Sequence, residues 1–127
     1  MITGLIAPIL SPFGDNLNFD QNLYNELAQK LLETGCSGLA PFGTTGEALS
    51  VSNNERKAAL EGLVNFGIDP NKLIPGTGLC NLPDTIDLCK HALKLGCKGV
   101  MTLPPFYFKG MSDDGLFNYY LKLIDGI

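Results

Sequence analysis

The sequence lacks the features that mark membrane, secreted and nucleic-acid-binding proteins. No run reaches the ~18 consecutive apolar residues of a membrane-spanning helix. Residues 1–6 are apolar but have no basic flank, and Pro8 and Pro12 interrupt the stretch, so it does not read as a secretory signal. The nine Lys and Arg residues are scattered and the net charge is −4, whereas a nucleic-acid interface needs clustered cations. We therefore expect a cytoplasmic protein with no membrane and no nucleic-acid partner.

Patterns that build metal sites and disulfides are also missing. The four cysteines contain no C-x-x-C pair, and the one histidine, His91, does not stand at metal-ligand spacing from any of them. The thiols are expected to be free and mostly buried, and no metal or other cofactor is expected. His91 falls in the middle of a predicted helix beside lysines, so we interpret it as a solvent-facing residue. The cysteines are Cys36, Cys80, Cys89 and Cys97.

An internal repeat organises the 127 residues. Residues 31–39 resemble residues 92–100, and 61 positions separate Cys36 from Cys97. That distance is two units of about 30 residues, the size of one strand, one helix and two loops. The chain therefore reads as four β/α units within one domain.

Hydrophobic periodicity and capping signals place the elements. Strands are predicted over residues 5–10, 38–42, 72–75 and 99–103. Helices are predicted to begin at Asp20, at a capping box starting with Ser52, near Pro83 and at Ser112. The first ends at Gly35, the second near Phe66 and the third at Gly96, and the chain stops inside the fourth. The apolar faces are predicted to be Leu23, Leu27 and Leu31; Ile86, Cys89 and Leu93; and Phe117, Tyr120, Leu121 and Ile124.

The unusual residues all lie in the strand-to-helix turns. Four β/α units make either a small open parallel sheet or half of an eight-stranded barrel. Because the carboxyl ends of parallel strands share one rim, the four turns converge there, and in (β/α)8 barrels that rim carries the active site. The sequence therefore favours an α/β fold in which this chain supplies about the first four units of a (β/α)8 TIM barrel.

The turn after the second strand, Gly43-Thr44-Thr45-Gly46, is the most informative segment. Two glycines let the backbone pass close to a ligand, and the hydroxyl and N–H groups between them can converge on an anion. The turn lacks the G-x-x-x-x-G-K pattern of a phosphate loop, so a carboxylate is a better ligand than a nucleotide. The alternative is a tight turn whose threonines cap a helix.

Two further side chains near the rim have a structural and a functional interpretation. Tyr107 follows a Pro-Pro pair and is either an aromatic plug at the barrel mouth or a phenol held for proton transfer or a subunit contact. Glu47 is expected to support its loop through hydrogen bonds rather than to act as a base.

These motifs together resemble the dihydrodipicolinate synthase/N-acetylneuraminate lyase family of class I aldolases. Their order and spacing hold across essentially the whole chain. The matching segments are residues 6–8, 11–13, 43–47, 55–56, 74–78, 105–107 and 115–116.

The resemblance implies a barrel of about twice this length, assembled as a homodimer or homotetramer. It implies that a lysine on the sixth strand forms a Schiff base with pyruvate and that the resulting enamine adds to an aldehyde, or the reverse. By resemblance, Thr45 binds the pyruvate carboxylate within the turn bounded by Gly43 and Gly46. Thr44 relays protons between two tyrosines, one of them Tyr107 contributed by a neighbouring subunit.

The resemblance also indicates which catalytic residues of the family lie outside this chain. Neither the Schiff-base lysine nor the second tyrosine falls within residues 1–127, so we interpret the chain as the N-terminal half of a single barrel domain that is inactive alone. The threonine pair favours the synthase that joins pyruvate to aspartate semialdehyde in lysine biosynthesis. Cys80, and Pro104 to Phe108, depart from the usual synthase pattern, so an aldolase acting on a sugar acid or an aromatic aldehyde stays open. A non-catalytic half-barrel that binds an anionic metabolite is the alternative of another class.

Overall fold

The computed structural model describes residues 3–127, in which four extended segments lie parallel and four helices pack on one side of them. Strands β1 (Ile6–Pro8) and β2 (Gly38–Ala40) pair in parallel register, with Ala7 opposite Leu39. Between consecutive extended segments the chain passes through a helix, so the units repeat as the sequence predicts.

All four predicted strands are shorter than expected. Strands β1 and β2 have three residues each. The third and fourth segments each contribute a single parallel bridge, Leu39 with Leu73 and Gly76 with Met101. Part of the reason is Pro75, which has no N–H to donate to a ladder. Its carbonyl still accepts a hydrogen bond from the Met101 N–H at 2.9 Å, so the order of the four segments is preserved.

The helices begin where the capping signals predict. Asp20, Ser52 and Ser112 each accept a backbone N–H bond at the start of a helix, and the Ser52 capping box is complete. Asn81, two residues before Pro83, caps the third helix. The fourth extends to Asp125, and Gly126 follows it in the right-handed helical conformation. The helices are α1 (Gln21–Glu33), α2 (Asn53–Phe66), α3 (Leu82–Lys94) and α4 (Asp113–Asp125), with 3₁₀ turns at Ala48–Ser50 and Pro70–Lys72.

The sequence repeat corresponds to a repeated turn. Gly35 and Gly96 follow α1 and α3 with φ of 104° and 88°, the left-handed region that glycine tolerates. In each case the N–H of the next residue, Cys36 or Cys97, bonds the carbonyl five positions earlier, at 3.2 Å and 3.1 Å. The 61-residue spacing thus marks one helix-ending motif used twice.

The core lies between the helices and the outer face of the extended segments. Tyr24 stacks on Phe42 with ring centroids 5.8 Å apart, and Phe19 packs edge-on against Tyr24 at 4.9 Å. Such aromatic pairs contribute beyond the area that they bury. The other fully buried apolar side chains include Ile9, Leu39, Leu63 and Leu73.

The predicted apolar faces of the helices are partly wrong. In α1 the buried residues are Tyr24, Asn25 and Ala28, whereas Leu23 is half exposed. In α3 Cys89 is buried as predicted, together with Thr85, Leu88 and Ala92, whereas Leu93 is exposed.

The error is largest in α4, where only Leu123 is fully buried and Phe117 and Ile124 are more than 60% exposed. Three or four apolar residues per two turns form an apolar stripe along a helix. Which part of this stripe is buried depends on the elements that pack against the helix. Among the described residues, only α3 packs substantially on α4.

Pairs of charged and polar side chains connect α2 to α3. His91 Nε2 lies 2.7 Å from Glu61 Oε1, and Lys57 pairs with Asp87. His91 is therefore partly buried at a helix–helix contact, which corrects the expectation that it faces solvent. All four cysteines are free, and Cys89 and Cys97 are buried.

The inner face of the extended segments is apolar and exposed. Large side chains on and near it, namely Leu5, Leu10, Met101 and Leu103, are 44–65% exposed. Across residues 3–127, no helix has the length and apolar character needed to cross a membrane.

Candidate active site

The glycine–threonine loop (residues 43–46) is bounded by two residues in a left-handed backbone conformation. Phe42 has φ of 56° and Glu47 has φ of 49°, a region that side chains other than glycine rarely adopt. Such residues cost free energy and persist only where surrounding contacts fix them, and they cluster at ligand sites. The loop is therefore held in one shape by its neighbours.

The glycines of this rim allow backbones to approach each other. A Cβ on Gly46 would lie 2.7 Å from the Ile9 carbonyl oxygen, and a Cβ on Gly76 would lie 2.1 Å from the Phe42 carbonyl oxygen. At Gly43 the nearest atom is the flexible Met101 methyl, at 3.3 Å. Gly43 therefore faces a flexible side chain, whereas Gly46 packs against the chain after β1.

The two threonines of the loop are exposed and cap no helix. The 3₁₀ turn Ala48–Ser50 follows Glu47 without a side-chain cap, and Ser52 caps α2. The interpretation of the threonines as helix caps is therefore wrong. Glu47 supports the loop through its backbone, because its N–H donates to the Thr44 carbonyl at 3.1 Å.

Two side chains outside the loop hold its far end, and no sequence pattern predicts a role for either. Ser11 Oγ donates to the Gly46 carbonyl at 2.6 Å. Arg56, the sole arginine of the chain, is 3% exposed and donates from Nε to the Val51 carbonyl at 3.2 Å and from a terminal nitrogen to the Ala48 carbonyl. Burial lowers the pKa of its guanidinium. The available signal was a lone arginine next to the capping-box glutamate.

An open cleft of about 520 Å³ lies at the carboxyl ends of the extended segments. Gly43, Thr44 and Glu47 line one side, and Phe106 lies on the fourth segment's side. Thr45 and Gly46 belong to the same loop but are not part of the lining. The remaining wall is mostly apolar: Phe42, Ala48, Leu49, Ser50, Gly76, Gly78, Met101 and Leu103.

The cleft holds none of the chain's lysines. Lys72 ends a 3₁₀ turn and Lys98 precedes the fourth extended segment, both exposed and at the opposite end of the segments from the cleft. Among residues 3–127, no three His, Cys, Asp or Glu side chains gather as they would around a metal ion.

Tyr107 projects outward from the rim. It is 76% exposed and stacks edge-on against Phe108 with ring centroids 5.8 Å apart. Within the described chain it makes no hydrogen bond with Thr44, and its neighbour Phe106, not Tyr107, lines the cleft. Of the predicted site residues, Gly43 and Thr44 line the cleft, whereas Thr45, Gly46 and Tyr107 do not.

A polar network beneath the rim joins the third and fourth units. Thr77 Oγ1 and Thr102 Oγ1 are 2.7 Å apart, and the buried Cys89 thiol donates to Thr77 at 3.2 Å. Tyr120 Oη donates to the Thr102 carbonyl at 3.1 Å. These contacts tie α3 and α4 to the segments that carry the cleft wall, and no local sequence pattern indicated them.

Comparisons with known proteins give one consistent result. The Dihydrodipicolinate synthetase family matches residues 1–126. The 4-hydroxy-tetrahydrodipicolinate synthase of Wolinella succinogenes is 33% identical over 99% of this chain and 42% of the relative. The dihydrodipicolinate synthase structure from Agrobacterium tumefaciens is 35% identical, with a TM-score of 0.95 over 98% of this chain and 43% of that one.

A third similar protein was solved with a ligand. YagE, a prophage protein of E. coli K12 in the dihydrodipicolinic acid synthase family, was crystallised in complex with pyruvate. It is 28% identical, with a TM-score of 0.88 over all of this chain and 42% of that one. The chain thus spans less than half the length of the relatives that it matches. It adopts the first four β/α units of their (β/α)8 barrel and belongs to the dihydrodipicolinate synthetase family.

Proposed function

We propose that residues 1–127 are the N-terminal half of a single barrel domain in a pyruvate-dependent lyase, a 4-hydroxy-tetrahydrodipicolinate synthase. The observation that carries the proposal is the cleft at the carboxyl ends of the segments, with the strained glycine–threonine loop on its wall. The loop motif occurs in a chain that matches the family over residues 1–126.

The loop supplies the groups that a small keto acid needs. Thr45, with the backbone between Gly43 and Gly46, binds the pyruvate carboxylate through hydroxyl and N–H donors. Thr44 lines the cleft, where its hydroxyl accepts one proton while donating another. The remainder of the wall is mostly apolar, and hydrogen bonds in an apolar surrounding are stronger than in water.

The covalent chemistry uses a lysine from outside this chain. Its neutral amine attacks the pyruvate carbonyl, and loss of water gives the imine. Removal of a methyl proton gives the enamine, whose carbon bonds to the aldehyde carbon of aspartate semialdehyde. The aldehyde oxygen then takes a proton, and the nitrogen becomes an imine again. Cleavage of this imine by water or an amine frees the lysine and the product. Relaying protons between such groups is the role proposed for Thr44.

The assembly proposed is a homodimer or homotetramer in which Tyr107 reaches a neighbouring site. Its 76% exposure supports this role, because a phenol directed away from its own cleft can contact another subunit. The proline pair before it stiffens the loop.

A chimera tests the proposed reaction. Residues 1–127 are joined to the part of the Wolinella succinogenes synthase that follows the matched region, and the folded protein is incubated with pyruvate and borohydride. We expect the mass of one reduced pyruvate imine on a lysine of the second part. The intact relative is the positive control, and the same chimera without that lysine is the negative control.

The outcomes separate the two function classes. A folded chimera that stays unlabelled while the relative is labelled rules out the proposed reaction. If the unlabelled chimera still binds pyruvate in a calorimetric titration, the anion-binding half-barrel is the better account. Labelling followed by condensation with aspartate semialdehyde supports the synthase.

Subunit mixing tests the role of Tyr107. Chimeras with Tyr107→Phe are mixed with chimeras that lack the Schiff-base lysine. Each hybrid dimer then holds one site with an intact lysine and an intact incoming tyrosine, so activity reappears. A mixture that exchanges subunits yet stays inactive contradicts a role across the boundary.

A further inference from the structure

We propose that Ser11 and Arg56 are positioning residues that clamp the carbonyls on either side of Glu47 and thereby fix the orientation of Thr44. The two side chains come from different units, and both act on the end of the glycine–threonine loop. For its effect on catalysis, the proposal rests on the proposed function; the clamp itself is a property of residues 1–127.

Ser11 binds the backbone on the N-terminal side of Glu47. Its hydroxyl donates to the Gly46 carbonyl at 2.6 Å across a sequence separation of 35 residues. Because a Cβ on Gly46 would lie 2.7 Å from the Ile9 carbonyl, this part of the loop is pressed against the chain that follows β1. The hydroxyl bond fixes the Gly46–Glu47 peptide plane at that contact.

Arg56 binds the backbone on the C-terminal side of Glu47. It extends from the first turns of α2, and its guanidinium bonds the carbonyls of Ala48 and Val51, which bracket the 3₁₀ turn. At 3% exposure it is the one fully buried cation among the described residues. A planar guanidinium can meet two carbonyls at fixed angles, whereas an ammonium on a flexible stem cannot hold both.

The backbone beside the two clamped carbonyls connects directly to the loop that carries Thr44. The Glu47 N–H donates to the Thr44 carbonyl at 3.1 Å, and the Ala48 N–H donates to the Gly43 carbonyl at 3.4 Å. The left-handed conformation of Glu47 is strained, so it requires contacts that hold the residues on either side of it, Gly46 and Ala48. Ser11 and Arg56 provide these contacts. Releasing either one lets Glu47 relax and frees the Thr44 backbone.

Hydrogen exchange at single-residue resolution on the 127-residue chain tests the clamp. Arg56→Lys and Ser11→Ala should each speed exchange of the Glu47 and Ala48 amides by about 10- to 100-fold, the effect of losing one strong hydrogen bond. Amides in α3 should keep their protection. The measurement is valid for any assembly state, provided that all variants are compared at one concentration.

Two matched controls remove similar interactions elsewhere. Lys57→Met deletes the neighbouring cation of α2, which pairs with Asp87 and not with the loop. Thr34→Val deletes a hydroxyl that donates to the Leu31 carbonyl at 2.9 Å at the end of α1. Both should leave the Glu47 amide unchanged.

A second readout measures the effect on catalysis. In the pyruvate-trapping chimera, with the active fraction counted by borohydride labelling, Arg56→Lys should lower kcat by about tenfold or more and raise the KM for pyruvate less. A merely structural contribution would lower the melting temperature and the active fraction without changing kcat per labelled site.

The possible results distinguish failure of the clamp from failure of the proposed function. Unchanged Glu47 exchange in folded Arg56→Lys or Ser11→Ala, or an equal change in the controls, overturns the clamp. If Arg56→Lys does not fold, the single-hydroxyl variant Ser11→Ala decides by the same criterion. An unsubstituted chimera that fails to trap pyruvate counts against the proposed function, while the exchange data still decide the clamp.

Discussion

Replacing Gly76 by alanine should be among the most damaging single-methyl changes in this chain. The added Cβ would lie 2.1 Å from the Phe42 carbonyl oxygen, more than 1 Å inside the 3.4 Å at which ordinary contact begins. The clashing atom is backbone, and Phe42 already has a strained φ of 56°. Neither side can move without breaking the bond from the Gly76 N–H to the Pro41 carbonyl, which is 2.7 Å long.

The expected cost follows from this overlap. Forcing an extra methyl group into a packed site costs about 1–3 kcal/mol or more, and a rigid backbone partner places Gly76→Ala at the upper end of that range. Gly99 is the matched control, since a Cβ there meets nothing within 4 Å and its φ is not left-handed. Gly99→Ala should stabilise the chain by about 0.4–1 kcal/mol, because alanine has less conformational freedom than glycine in the unfolded chain.

Chemical denaturation at one protein concentration measures both variants. We expect the Gly76→Ala midpoint to fall, with a melting temperature roughly 10 °C lower, and the Gly99→Ala midpoint to stay level or rise. Gly46→Ala, with its Cβ 2.7 Å from the Ile9 carbonyl oxygen, should fall between them. Equal stability of Gly76→Ala and Gly99→Ala would refute the reasoning that backbone contact, rather than turn conformation, requires glycine at this rim.

Three further predictions concern the loop, the assembly and the thiols. In the barrel-length chimera, Thr44→Val should lower kcat by roughly 10²–10⁴, whereas Thr45→Val should raise the KM for pyruvate more than it lowers kcat; equal small effects would leave the loop only a turn. The 127-residue chain should self-associate through its exposed apolar inner face and open edges, so a monodisperse monomer with cooperative melting in sedimentation and thermal assays would contradict this. Burial raises the pKa of Cys97 to about 11, so at pH 8 only about one thiol in a thousand is ionised and iodoacetamide should label the partly exposed Cys36 and Cys80 first. Labelling of Cys97 should accelerate as the pH rises toward 11 or on addition of urea; labelling at the rate of Cys36 in native protein would argue against its burial.

Local signals in the sequence predicted the elements well. The capping box at Ser52 and the glycine turns after α1 and α3 satisfy hydrogen bonds within a few residues of each other, so sequence alone specifies them. The order of four β/α units followed from periodicity and from the 61-residue repeat. The location of the candidate site followed too, because strand-to-helix turns of parallel strands share one rim.

Helix faces were predicted less well for a physical reason. An apolar stripe on a helix covers about 100°, and the sequence does not state which part of it meets a neighbour. In α4 the predicted face included Phe117 and Ile124, yet Leu123 is the residue that packs inward. All four strands were likewise predicted too long, because the extent of pairing depends on both neighbours and on where proline interrupts the donors.

The sequence by itself determined where helices begin and end, where the unusual turns gather and which family the chain resembles. Only the tertiary structure decided how the glycine–threonine loop is held. The bond from Ser11 to Gly46 spans 35 residues, and the contacts of Arg56 depend on how α2 packs behind the loop. Local patterns specify hydrogen bonds between residues that are close in sequence. A hydrogen bond from a distant side chain to a backbone carbonyl forms only once the units have packed. The left-handed backbone of Phe42 and Glu47 is a result of that packing, since no local preference favours it.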